Sequence, residues 1–309
     1  MTLKVVIHMG GAKTASTTLQ TAVMAKSPHV HHFGEIGDGL TTIDEERILH
    51  ELLNEDEALI DFRGIEGLFA YHRQLAGDRT LVFSSADVLL ANRPTVVAAR
   101  LLDLLGSEVE ILLIVRNQLS ALESLYSGHG AWLKPAPKPY FRKFVSFHDW
   151  LEFQWLRPAS SALASFAYWE QIQPFIQAFG IKRMHLVPFE LLVKGDMGAW
   201  STVGGLLGLD SKLAWQNFSS DRQRERISMW QKRYGQIATF IRPFASAPDV
   251  RVTEGRVTGA LTRGRRFTPN WPEGMDNRVR DFYAKGNGCL DESFDLGLRN
   301  LGYSLDSGI

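Results

Sequence analysis

A short apolar run, Leu3-Lys4-Val5-Val6-Ile7-His8-Met9, stops at Gly10-Gly11 and leads at once into Lys13, Thr14, Ser16, Thr17 and Thr18. Leu19, Val23 and Met24 then fall at helical spacing. The β-branched run reads as a buried strand, the glycine pair permits a tight turn, and the hydroxyl residues open a helix. N–H groups at a helix start have no intrahelical partner and lie at the positive end of its dipole, so such a junction binds anions. Lys13 adds a full charge. A single N-cap needs one hydroxyl, whereas four stand between Thr14 and Thr18.

The rest of the chain repeats the strand-helix alternation. Leu81-Val82-Phe83, Glu110 to Val115 and Met184-His185-Leu186-Val187 are apolar runs without polar alternation, as expected of parallel strands covered on both faces. Helical spacing marks Arg93 to Leu105, Leu119 to Tyr126, Leu163 to Phe179 (with Pro174 expected to kink it), Trp200 to Leu207 and Ile227 to Ile241. The expectation is an α/β fold of three layers, a mostly parallel sheet flanked by helices. No boundary between independent domains stands out, so residues 1–309 are read as one domain with long loops near 132–147 and 249–275.

Composition narrows the function classes. A chain of 309 residues buries roughly 75% of its unfolded surface and needs no staple. Its 34 basic and 34 acidic residues balance, which argues against a protein that coats nucleic acid or an anionic membrane. Cys289 is the only cysteine, so intramolecular disulfides and cysteine-rich zinc sites are excluded. No apolar stretch reaches the ~18 residues of a membrane span, and no signal-peptide core precedes Gly10. A soluble, cytoplasmic protein is expected. Oligomeric state is left open.

The spacing argues against one class of anion. A nucleoside-triphosphate loop places glycines one and six positions before its lysine; here those positions hold Ala12 and Ile7. The Ile111 to Val115 strand runs into Arg116, not into an aspartate that would hold magnesium. The segment instead resembles the 5′-phosphosulfate loop of sulfotransferases that use 3′-phosphoadenosine 5′-phosphosulfate (PAPS), with Ala15 where that loop usually carries glycine. The resemblance assigns Gly11, Ala12, Lys13, Thr14, Ala15, Ser16, Thr17 and Thr18 to the nucleotide. A second motif agrees: Arg116-Asn117 follows a strand, and Ser124 stands eight residues after the arginine. In the family these two residues hold the 3′-phosphate, although Gln118 replaces the usual proline. Val187-Pro188-Phe189-Glu190-Leu191-Leu192 and the segment from Asn287 to Tyr303 also resemble family features.

The resemblance implies sulfuryl transfer from PAPS to a hydroxyl or amine, releasing 3′,5′-diphosphoadenosine (PAP). No metal is expected, and His29, His31 and His32 lack a fitting ligand pattern. Lys13 would act as the electrophile. Candidates for the general base are Glu35, then His32, then His31; on a strand, His31 and His32 would face opposite sides. Asp87 is a further candidate base, or an early-helix acid favoured by the dipole. The family's lysine or histidine near Ser84 and Ser85 is absent. Within Arg263-Gly264-Arg265-Arg266, Arg265 either closes over the 3′-phosphate or belongs to a solvated charge run. Phe141, Phe144 and Phe147 are an acceptor wall or ordinary core. Carbohydrate is slightly favoured as acceptor. Two rival functions stay open: a magnesium-dependent P-loop kinase or hydrolase, and a non-catalytic nucleotide-binding module.

Overall fold

Five strands, all parallel, build the sheet in the order β2-β3-β1-β4-β5. They are β1 Val5–Met9, β2 Val30–Phe33, β3 Thr80–Ser85, β4 Glu110–Val115 and β5 Met184–Pro188. The computed structural model describes residues 3–34, 42–91, 93–128, 130, 138–141, 143–220, 237 and 267–306. These fall into two compact units, one holding the described residues up to 117, from 167 to 220 and from 284 onward, the other those from 118 to 166 and 267 to 283.

The first unit contains the whole sheet. Every residue of β1 and β3 is buried, which is why the sequence shows continuous apolar runs there. One face is covered by α10 (Met197–Leu207) and α11 (Ser211–Ser220) and by the helix after β1. Its core joins Val6, Val82, Leu112 and Ile114 to Leu19, Val23, Trp200, Val203 and Leu207. Trp200 is fully buried and satisfies its indole by donating to the Leu192 carbonyl at 3.0 Å. Burying each large apolar side chain is worth ~1.5–3 kcal/mol, so this core alone outweighs any single hydrogen bond in the unit.

The helix after β1 departs from expectation. A single α-helical turn, α1 (Ser16–Thr18), continues as a π-helix over Leu19–Met24. Such wide turns are rare and cluster at functional sites. Two further helices pass unmarked in the sequence analysis: α2 (Ile43–Asn54) and α3 (Phe62–Ala76). Thr42 opens α2 with a capping box, accepting from the Glu45 N–H while its own N–H donates to the Glu45 carboxylate. Next come α4 (Asp87–Leu90) and α5 (Pro94–Leu105), the latter with proline at its start as expected. The segment expected as one helix from Leu163 divides into a 3₁₀ turn, Ala164–Phe166, and a helix over Tyr168–Phe179, with Pro174 inside that helix.

The second unit is helical. It holds α6 (Gln118–Gly128), α7 (Phe147–Trp155) and the first half of α12 (Met275–Phe294), whose second half belongs to the first unit. The helix over Tyr168–Phe179 is α8, and α9 is Phe189–Lys194. An aromatic cluster of Tyr126, Phe147, Trp150 and Phe267 forms the core of the second unit. Phe147 is therefore core, whereas Phe144 is exposed. The expected helix from Ile227 to Ile241 lies almost wholly outside the described residues, as does most of the loop near 249–275.

Candidate functional site

The carboxyl ends of β3, β1 and β4 meet at the glycine turn. Met9 is level with Ser85 on one side and Leu113 on the other, so β4 runs two residues further and brings Arg116 alongside the loop. Gly10 donates to the Ser85 carbonyl at 3.2 Å. A Cβ on Gly10 would stand 2.9 Å from the Ser16 hydroxyl, and one on Gly11 would stand 2.9 Å from Thr14 Cγ2 and 3.3 Å from the Ile114 carbonyl. Both glycines are required by close approach. The side chains of Ser16 and Thr14 fill the space that a Cβ would need.

Within the loop, the Thr14 hydroxyl donates to the Gly11 carbonyl at 2.7 Å and lies 3.1 Å from the Ser16 hydroxyl. Its proton is thus spent on bracing the turn. Lys13 and Ala15 adopt left-handed backbone, with φ of 63° and 62°. For non-glycine residues this costs roughly 1–2 kcal/mol each. Ser16, Thr17 and Thr18 carry the amides ahead of the first helical bond, from Leu19 N–H to the Ala15 carbonyl at 3.0 Å.

Arg116 is fixed from three sides. Its Nη1 donates to the Lys13 carbonyl at 2.6 Å. Its guanidinium lies 4.5 Å over the Phe189 ring, within cation–π range. Its backbone N–H donates to the Tyr168 hydroxyl at 3.1 Å, and that hydroxyl donates to the Arg116 carbonyl at 3.3 Å. Burial pushes the Tyr168 phenol well up, so it remains a proton donor. Beside this, the Asn117 N–H and the Tyr303 hydroxyl donate to the two oxygens of Glu190, at 2.9 and 3.1 Å. Asn117 Nδ2 donates to the Gly302 carbonyl at 2.8 Å, so the closing segment of the chain is tied to the residue after Arg116.

Asp87 begins α4, two residues past Ser85, and its N–H donates to the Ser85 hydroxyl at 3.2 Å. Burial raises its carboxyl above the usual carboxylate range, and His50 pulls weakly the other way. Asp87 thus stands in the first turn of a short helix that follows β3.

His31 and His32 stand on β2, which is at the edge of the sheet. His32 is level with Val82 and hence with Val6, three residues before Met9. It lies close enough to His8 to hold that ring's pKa down, after burial as the larger cause. Ser124 lies on α6 of the second unit, half-buried. Glu35 and Arg265 are outside the described residues.

Tyr168 and Gln20 stand outside the sequence motifs. Gln20 Nε2 donates to the Ser84 hydroxyl at 2.8 Å, and that oxygen lies 2.7 Å from His8 Nδ1. This buried network joins the π-helix to β3 and β1 directly behind the loop. Glu190 carried a signal, the Pro188-Phe189-Glu190 run; Tyr168 carried none.

Among the described residues, no group of three His, Cys, Asp or Glu side chains is arranged to hold a metal ion, and no helix is long and apolar enough to cross a membrane.

No family model matches the chain, and comparison with curated protein sequences gives no match either. At the level of structure the likeness is clear. A sulfotransferase from Alicyclobacillus acidocaldarius superposes with a TM-score of 0.53 at 14% identity, covering 97% of this chain and 99% of its own. A sulfotransferase domain from the curacin biosynthetic pathway gives 0.48 at 13% identity over 99% of both chains. Mouse sulfotransferase SULT7A1, in complex with PAP, gives 0.46 at 12% identity over 94% of this chain and 88% of its own. The five-stranded parallel sheet flanked by helices is thus the sulfotransferase fold.

Proposed function

We propose that this chain is an enzyme that transfers the sulfuryl group of PAPS to an acceptor hydroxyl or amine. One observation carries the reading: the guanidinium of Arg116, at the end of β4, reaches the turn that follows β1, where its Nη1 donates to the Lys13 main-chain carbonyl at 2.6 Å. The residues fit a bisphosphorylated nucleotide. The glycine cradle admits an anion close to the backbone, the amides of Ser16 to Thr18 supply donors, and Lys13 supplies charge.

PAPS, when bound, supplies an activated sulfur: the acceptor oxygen or nitrogen bonds to it as the bond to the 5′-phosphate oxygen breaks and PAP departs. Lys13 neutralises the charge that grows on the departing oxygen. The loop amides hold the 5′-phosphate, and Arg116 is the candidate partner for the 3′-phosphate. Asp87 is the residue best placed to take the acceptor proton, being raised by burial and set beside the loop. Arg116 stays ordered through Phe189 and Tyr168, so its fork is pre-formed for the anion.

Asp87 is also the one feature that favours magnesium-dependent triphosphate chemistry, since it follows a strand adjacent to β1. Calorimetry separates the two. The proposal expects metal-independent binding of PAP in clear preference to ADP, and PAP release in the presence of a suitable acceptor. Equal affinity for PAP and ADP, or tight binding of magnesium-ATP alone, overturns it. Lys13→Ala should abolish turnover while leaving the fold intact.

A further inference from the structure

Away from the glycine turn, β2, α2 and α3 line a half-open pocket of about 290 Å³. Its walls are mostly apolar, with Phe33, Leu49, Tyr71 and Leu75, and its polar lining is His32, Thr42 and a hydrogen-bonded chain of His31, His72 and Glu45. His31 Nε2 and His72 Nδ1 are 2.9 Å apart, and His72 Nε2 is 3.2 Å from Glu45 Oε1. The other Glu45 oxygen accepts the Thr42 N–H at 2.7 Å. Phe33 stacks on the His72 ring at 4.0 Å between centroids and fixes its plane.

The carboxylate sets the proton positions along this chain. Glu45 accepts only, so His72 carries its proton on Nε2 and accepts at Nδ1. His31 must then donate from Nε2, which leaves Nδ1 as a lone pair. Among the described residues nothing meets that nitrogen, and His31 is partly exposed. A carboxylate-oriented imidazole whose basic nitrogen stays open is an acceptor held ready for a donor.

This hydrogen-bonded chain stands apart from the nucleotide loop. His31 is level with Leu81, and Leu81 with Val5, four residues before Met9. That places its backbone roughly 13 Å back along the sheet and roughly 10 Å across from the glycine turn.

We propose that this cavity is a second ligand site, which takes an uncharged small molecule with an apolar body and one hydroxyl that donates to His31 Nδ1. The apolar walls supply the contact area and the histidine supplies orientation. Neutrality follows from the surroundings. Burial, with His72, Arg79 and His32, holds His31 down at about 4, so it enters uncharged near neutral pH. The Glu45 charge is already engaged on both oxygens, leaving little to attract a cation.

The test uses the full chain with two probes, 2-naphthol and 2-methoxynaphthalene, which differ in the ability to donate. The expected result is measurable binding of 2-naphthol, with affinity about tenfold or more above the methyl ether. His31→Phe should abolish that preference while leaving PAP affinity unchanged, so failure here is separable from failure of the sulfotransferase reading. Nitrogen-15 spectra of the wild-type histidines give an answer even if the variant does not fold: the His31 Nδ1 resonance should move on adding 2-naphthol. No binding by either probe, equal affinities, a preference that survives in His31→Phe, or an unmoved His31 resonance each overturns the site.

Discussion

The guanidinium of Arg116, at the end of β4, donates through Nη1 to the main-chain carbonyl of Lys13 at 2.6 Å. The loop and the second motif are therefore one mechanical unit. Arg116 both braces the turn that presents Lys13 and remains the candidate partner for a second phosphate. Its removal has two separable effects. The loss of the brace weakens any nucleotide held by the loop, and the loss of the fork weakens only those with a 3′-phosphate. A charge-assisted hydrogen bond is worth ~1.5–3 kcal/mol. Arg116→Ala should therefore weaken PAP by roughly a hundredfold and AMP by roughly tenfold or less. Calorimetric titration of both nucleotides decides; equal losses remove Arg116 from the 3′-phosphate role.

Ala15 stands where the resembling loops carry glycine, and its φ of 62° is the conformation glycine adopts without cost. The side chain imposes strain of roughly 1–2 kcal/mol, partly offset by the greater backbone freedom that glycine has when unfolded. Ala15→Gly should raise stability by about 1 kcal/mol or less, read as a higher midpoint in thermal or urea unfolding. An unchanged or lower midpoint shows that Ala15 is not strained.

Asp87→Asn separates chemistry from folding. Burial penalises the charged carboxylate and raises its pKa, so the charge is a cost to the folded state at neutral pH. The amide removes the cost and keeps the shape. Stability at neutral pH should stay level or rise, while turnover falls by a factor of about 10²–10⁴ as expected for loss of a general base. The wild-type rate should also fall toward acid pH, with an apparent pKa above that of an ordinary aspartate. A variant that keeps full turnover means that another group takes the proton.

The parts of this molecule legible in the sequence were those fixed by short-range rules. Val5–Met9 and Glu110–Val115 declared themselves because strands buried on both faces have no polar alternation. The glycine pair and Lys13 declared the anion turn because close approach and charge leave a local mark. The π-helix at Leu19–Met24 left none, since a one-residue widening of the helical turn demands no particular residue type. The capping box at Thr42 and Glu45, and the stripe of Ile48, Leu49, Leu52 and Leu53 behind it, were local and readable signals of α2 that went unmarked. The rest depends on contacts distant in sequence. Tyr168 meets Arg116 across fifty-two positions, and His72 meets His31 across forty-one. No spacing rule reaches that far; only the packing of α8 and α3 on the sheet brings those pairs together.

The buried network behind the loop makes stability depend on pH in a stated window. His8 is fully buried on the central strand, with Nδ1 beside the Ser84 hydroxyl and Nε2 without a partner among the described residues. Burial, and after it the nearby His32, lowers its pKa from 6.5 to about 4. Between those values the unfolded chain binds a proton that the folded chain refuses, so stability must fall as pH drops from about 6.5 toward 4 and level off above. The gap corresponds to about 3 kcal/mol from His8. His31 acts in the same direction, by less because solvent partly screens it. Urea unfolding between about pH 7.5 and 4.5 measures the slope. In His8→Asn the slope across this window should become shallower, whatever the variant does to absolute stability. A wild-type curve flat from pH 6.5 to 4.5, or an equal slope in the variant, would show that His8 accepts its proton in the folded state.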